Sequence, residues 1–231
     1  MKAMLLAAGV GERMRPLTDH TPKPLLRVGG VPLLERHIRR LADAGVTELV
    51  INVSHLGQQV MDYCGSGERW GVRIAWSCEE TPLETAGGIV KALPLLGEQP
   101  FAIINGDVWT QYPFEQLTTH RLAQGLTAHL VMVDNPPQHP LGDFVIDGAG
   151  TVRKRSAEVA GLTYAGIGIY TAQFFTGIAQ GKLALRPLLD TAIDRQLISA
   201  EHYRGAWEDV GTPERLRALN ARVNAKDTAK R

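Results

Sequence analysis

Apolar residues gather in short continuous runs at 4–8, 49–53, 72–76, 101–105 and 128–133. Runs of this length, with few polar interruptions, predict strands buried on both faces of a sheet. Between the first two, Leu33-Leu34, His37-Ile38 and Leu41-Ala42 recur at helical spacing, with Gly45 where a helix would end. Shorter helical patterns cover 58–64 and 87–96, the second expected to stop near Pro94 and Gly97, and residues 114–124 are amphipathic. Strands that alternate with helices predict parallel βαβ units with helices on both faces. The expected fold class is therefore α/β: a Rossmann-like, mixed but mostly parallel sheet flanked by helices.

The rhythm changes after about Asn135, where Pro136, Pro137, Pro140 and several glycines break the chain. Residues 144–146, 152–155 and 163–170 read as shorter, antiparallel strands. Helices are expected over 172–179 and 185–195, and a strand over 198–204. A last helix should start near Pro213 with Thr212 as its N-cap.

Charge narrows the range of partners. Of 231 residues, 25 are Lys or Arg and 24 are Asp or Glu, giving a net charge of +1. Nucleic-acid or membrane-surface binding draws on an excess of one sign, so neither is expected. No apolar run approaches the roughly 18–20 residues of a membrane span. Cys64 and Cys78 form no CxxC pair, no zinc spacing and no disulfide framework. The apolar start is followed by Glu12-Arg13-Met14-Arg15 without a cleavable junction, so it reads as a first strand in a cytoplasmic protein.

The chemistry concentrates after the first run. Gly9-Val10-Gly11 follows a strand end, where ligands of open parallel sheets bind. A dinucleotide fingerprint would need glycine at Met14, which argues against an NAD-dependent dehydrogenase, and a Walker A loop would end in Gly-Lys-Ser/Thr. Glycines there still let backbone N–H groups approach a phosphate. Arg13 and Arg15 add positive charge, and Pro22-Lys23-Pro24 presents a lysine stiffly, because each proline fixes its own φ and restricts its predecessor. Asp107 follows Gly106 at a later strand end. The histidines show no metal-ligand spacing, and no Gly-x-Ser-x-Gly elbow exists.

Ala7-Ala8-Gly9-x-Gly11-x-Arg13-Met14-x-Pro16-Leu17-Thr18 followed by Pro22-Lys23-Pro24-Leu25 resembles the signature of sugar-1-phosphate nucleotidyltransferases. Glu84-Thr85-Ala86-Gly87-Gly88, Asn105-Gly106-Asp107, Tyr164-Ala165-Gly166-Ile167-Gly168-Ile169-Tyr170 and Trp207-Glu208-Asp209-Val210-Gly211-Thr212-Pro213 extend the likeness in order along the chain. The resemblance implies a GT-A-like nucleotidyltransferase fold over 1–225, with a nucleotide-binding part at 1–135, a smaller antiparallel sugar-binding part at 136–225, and a polar tail at 226–231. Length and local detail look most like the short uridylyltransferases of bacterial peptidoglycan recycling. Short mannose-1-phosphate guanylyltransferases share much of the pattern.

By the same resemblance, the substrates are UTP and a sugar 1-phosphate, and pyrophosphate is released. Asp107 and Asp209 bind Mg²⁺, a hard cation suited to carboxylate and phosphate oxygens. Arg13, Lys23 and Asp107 are the catalytic candidates. Leu6, Ala8, Gly9, Gly11, Glu12, Arg13, Lys23, Gly87, Gly88 and Asp107 meet the nucleotide. A polar residue among Glu79, Glu80 and Thr81 reads the base, with Glu80 chosen, and uracil and guanine both stay open. Asn105, Gly142, Asp143 and Gly166 fall to the sugar, and Trp109 is expected to line its pocket. A sensor that kept the fold and lost the chemistry is the non-enzyme alternative; it need not retain Arg13, Lys23, Asp107 and Asp209 together.

Overall fold

A computed structural model describes residues 1–228. The first half carries β1 (Ala3–Leu6), a hairpin of β2 (Arg27–Val28) and β3 (Val31–Pro32), α1 (Leu33–Asp43), β4 (Glu48–Val53), α2 (Gly57–Cys64), β5 (Arg73–Cys78), α3 (Glu84–Leu96), β6 (Phe101–Asn105), β7 (Val108–Thr110) and α4 (Glu115–Thr119). The second carries β8 (Ala128–Val133), β9 (Phe144–Ile146), β10 (Val152–Lys154), β11 (Thr163–Tyr170), α5 (Arg186–Asp194), β12 (Ile198–Tyr203), β13 (Trp207–Asp209) and α6 (Pro213–Thr228). None of the described helices is long and apolar enough to cross a membrane.

Seven strands form the central sheet in the order β12-β8-β11-β6-β1-β4-β5. All run parallel except β11, which lies antiparallel between β6 and β8. Both faces are covered, which explains the unbroken apolar runs. Leu5, Ile51 and Ile104 pack on one side with α1, and Met4, Val50 and Ile103 on the other with α3 and α5. A third, smaller core of Met14, Leu26, Val28, Leu33, Val210, Leu216 and Leu219 joins the glycine loop to the β2–β3 hairpin and α6.

The strand register builds the site. Leu6 at the end of β1 stands opposite Asn52 of β4 and Asn105 of β6. Three carboxyl ends therefore open together at one edge of the sheet, the place where α/β sheets take ligands.

Several elements depart from the sequence expectation. The helix expected over 87–96 starts earlier, at Glu84, and ends as expected at Leu96, capped by Gly97. Only Glu115–Thr119 of the amphipathic stretch is helical, and 172–179 shrinks to one tight turn over Ala172–Phe175. Of the expected tail at 226–231, the first three residues continue α6, and 229–231 lie outside the described residues.

Candidate active site

After β1 the chain turns through Gly11, whose φ of +73° is the left-handed region that favours glycine. A Cβ there would sit 2.9 Å from the Thr18 methyl and 3.3 Å from Lys23 Cβ. Met14, where a dinucleotide loop would need glycine, is buried in the third core and its amide donates to the Gly11 carbonyl at 2.9 Å. The loop is thus anchored by an apolar side chain. Arg13 faces the cleft, whereas Arg15 pairs with Asp19 at 3.4 Å.

Lys23 is only 8% exposed, yet its Nζ reaches Asp107 Oδ2 at 2.6 Å. A lysine this buried needs a counter-charge, and Asp107 provides it across the cleft.

Asp209 comes beside Asp107 through a short ribbon. β7 pairs antiparallel with β13, setting Asp209 opposite Val108, and the Val210 amide donates to the Asp107 carbonyl at 3.0 Å. The Asp209 carboxylate accepts from Arg215 Nη1 at 2.7 Å. From behind, α1 clamps the ribbon: His37 Nε2 lies 2.8 Å from the Val108 carbonyl, and Arg40 donates to the carbonyls of Thr110 and Tyr112 at 2.6 and 2.5 Å. Burial pushes the His37 ring down from 6.5 to about 4, so at neutral pH it is uncharged and Nε2–H donates.

Two cavities meet at this point. The larger, of about 580 Å³, is lined by the glycine loop from Leu6 to Met14, including Ala8, Gly9, Gly11 and Glu12, with Lys23, Asn52, Glu79 and Lys182. The smaller, of about 280 Å³, is lined by Gln138, His139, Tyr164, Gly166, Trp207 and Asp209 among others. Arg13, Asn105 and Asp107 line both.

Glu80 is exposed and lies outside the larger cavity; the neighbouring Glu79 is buried and lines it. Glu79 accepts from Asn52 Nδ2 at 2.7 Å and from the Leu83 amide at 2.9 Å, while Asn52 Oδ1 accepts from the Ala7 amide at 2.8 Å. This chain of bonds ties the glycine loop to the opposite wall. Gly87 and Gly88, expected to meet the nucleotide, sit in α3 and line neither cavity. A Cβ on Gly88 would meet Glu79 Oε1 at 2.7 Å, and one on Gly87 the Gly181 carbonyl oxygen at 2.1 Å. Both glycines allow close packing behind the wall.

On the other side, Gly166 lines the smaller cavity with φ +69°, and a Cβ there would press on the Asn105 amide at 2.6 Å. Gly142 and Asp143 do not line it. Gly142 turns at φ +64° against Asn135, and Asp143 accepts from the Tyr164 amide at 2.9 Å and faces His139 Nε2 at 3.2 Å. Trp109 lines a separate cavity behind β7 with His37 and Arg40. Trp207 lines the smaller cavity, its indole N–H donating to the Ala165 carbonyl at 2.9 Å. Glu79 was a candidate passed over for Glu80, and Asn52, Gln138 and His139 were not expected at the site. Asn52 carried a signal, as the polar residue within an apolar strand run.

A family model for nucleotidyl transferases matches residues 2–226. An N-acetylmuramate alpha-1-phosphate uridylyltransferase from Neisseria meningitidis is 49% identical, covering 97% of this chain and 99% of that protein. A mannose-1-phosphate guanyltransferase from Saccharomyces cerevisiae is 33% identical, and the match covers 93% of this chain but 62% of the yeast protein. Among solved structures, a Bacillus anthracis protein crystallised with sucrose, provisionally described as a glucose-1-phosphate thymidylyltransferase, superposes with a TM-score of 0.84 at 21% identity. That superposition covers 96% of this chain and 94% of the other and speaks to the fold. With sequence and architecture matched almost from end to end, the chain belongs to the nucleotidyl transferase family.

Proposed function

We propose that the protein transfers a uridylyl group from UTP to N-acetylmuramic acid 1-phosphate, giving the UDP-sugar and pyrophosphate. The observation that carries this reading is the junction: Arg13, Asn105 and Asp107 belong to a large cavity on the glycine-loop side and to a smaller one beside it. A nucleoside triphosphate in the first and a sugar 1-phosphate in the second would bring their phosphates together there. The 49% identity to the Neisseria uridylyltransferase supports uracil and this sugar.

The attacking oxygen of a sugar phosphate is already anionic at neutral pH, so no general base is required. The barrier lies in bringing two anions together and in the charge that builds on the departing pyrophosphate. The glycine loop lines the larger cavity, and glycine-rich backbone of this kind lets N–H groups approach a triphosphate closely. Arg13 at the junction offers a fork of donors to the reacting phosphates. Lys23, held in place between two prolines, supplies a fixed positive charge. Asn52 and Glu79 brace the loop, so these donors need little rearrangement as reaction begins.

The two carboxylates joined by the β7–β13 ribbon form an all-oxygen donor pair, which fits a hard cation. Among the described residues no group of three or more metal-binding side chains occurs, so phosphate oxygens and water would complete the coordination. Asp107 and Asp209 would hold Mg²⁺, which when bound neutralises phosphate charge and orients both reactants.

A grid of nucleoside triphosphates against sugar 1-phosphates, read by released pyrophosphate, tests the proposal. The highest turnover is expected for UTP with N-acetylmuramic acid 1-phosphate. Turnover confined to GTP with mannose 1-phosphate would overturn the specificity, and ligand binding without pyrophosphate release would make the protein a sensor.

A further inference from the structure

The smaller cavity has a wall whose chemistry the uridylyl-transfer reading does not use. Its arginine and its two carboxylates, Arg13, Asp107 and Asp209, are already given to phosphates and cation. Tyr164 lines it too, but its hydroxyl is buried against that of Tyr170 at 3.0 Å, and burial pushes the phenol up, so it stays neutral. That leaves Gln138 and His139 side by side.

They are presented on a stiff arm. Pro136, Pro137 and Pro140 fix their own φ angles. Asn135 closes the arm from inside, donating to the carbonyls of Pro140 and Gly161 at 3.1 and 2.8 Å and accepting from Thr163 Oγ1 at 2.8 Å. The His139 amide donates to the Pro136 carbonyl at 2.8 Å. Asp143 then orients the ring, with Oδ1 3.2 Å from His139 Nε2; the same carboxylate faces Arg186 at 3.5 Å and accepts from the Tyr164 amide. When the ring is protonated, Nε2–H serves Asp143 and Nδ1–H is left to donate to an anion, beside the N–H groups of the Gln138 amide.

We infer that His139, oriented by Asp143 and seconded by Gln138, selects sugar 1-phosphates that carry an additional carboxylate. N-acetylmuramic acid 1-phosphate is such a substrate: its lactyl ether ends in a carboxylate, and N-acetylglucosamine 1-phosphate is the same sugar without that ether. Asp143 is a positioning residue in this scheme, acting through the histidine. The inference rests on the proposed uridylyl transfer.

The test compares kcat/KM for the two sugar 1-phosphates with saturating UTP and Mg²⁺ in the wild-type protein, His139→Gln and His139→Glu. The wild type should prefer the carboxylated sugar. The ratio of the two kcat/KM values should fall about tenfold in His139→Gln, the size expected for a half-exposed charge-assisted hydrogen bond, and further in His139→Glu. Each variant carries its own folding control, because a damaged protein loses turnover on both sugars together. A ratio that falls less than fivefold in both variants, parallel loss on both sugars, or a wild type without preference overturns the inference. A wild type that makes no UDP-sugar from either compound instead refutes the uridylyl-transfer reading beneath it.

Discussion

In the proposed reaction, the chemistry turns on the contact between Lys23 and Asp107. With Nζ 2.6 Å from Oδ2, the pair shares one carboxylate between a buried ammonium and the place assigned to a cation. A dication and an ammonium compete for that oxygen. Lys23→Ala should therefore tighten Mn²⁺ binding to the nucleotide-free protein, measured by calorimetry, while turnover falls about 10²–10³-fold, the cost of removing one preorganised donor. Weaker Mn²⁺ binding in the variant would mean that the carboxylate is not shared. Asp107→Asn should lose Mg²⁺-dependent turnover while keeping its far-UV circular dichroism; an unaltered metal titration would remove Asp107 from the site. That Arg13, Lys23 and Asp107 line one cavity was legible because they sit in local motifs tied to strand ends. Glu80, chosen to read the base, lies outside the larger cavity, and its neighbour Glu79 lines it. Side chains alternate along β5 and just beyond it, with Ser77 and Glu79 buried and Cys78 and Glu80 exposed, so the two-residue period of a strand favours Glu79. His139 was hidden behind Asp143, whose bonds to the Tyr164 amide and the imidazole follow from a turn geometry that no local pattern encodes.

At the scale of elements, the β7–β13 ribbon joins two aspartates remote in sequence, and α1 holds it from behind. Only three residues long on each side, the strands are too short to leave a periodic signal, and their pairing depends on the whole sheet. The final helix, by contrast, announced itself: Thr212 Oγ1 accepts from the Arg215 amide at 3.3 Å, as an N-cap should. His37 gives the clamp a pH signature. Its folded-state value of about 4 lies below the ordinary 6.5, so between these values the unfolded chain binds a proton that the folded protein refuses. The contribution is fully present above about pH 6.5 and is lost as pH falls toward 4, at up to about 1.4 kcal/mol per pH unit. Urea unfolding at a series of pH values should show this slope in the wild type, and His37→Gln should flatten it. An equally steep loss in the variant would assign the slope to other groups.

Across the whole molecule, the proposed reaction uses one sheet for both substrates. The parallel strands β1, β4 and β6 end together to open the larger cavity, and β11, inserted antiparallel beside β6, brings Gly166 against Asn105 at the smaller one. The α/β architecture was readable because both faces of this sheet are buried, leaving apolar runs separated by helical periods. The meeting of the cavities was not, because it depends on sheet order. The central claim is that the two substrates lie on either side of Asp107 and react directly, with no covalent stage on the protein. The most direct measurement is the stereochemical course at the α-phosphorus, using one diastereomer of UTP with sulfur in place of an α-oxygen. A single in-line displacement predicts inversion of configuration in the UDP-sugar; retention would require two displacements through a nucleotidylated side chain and would contradict the account.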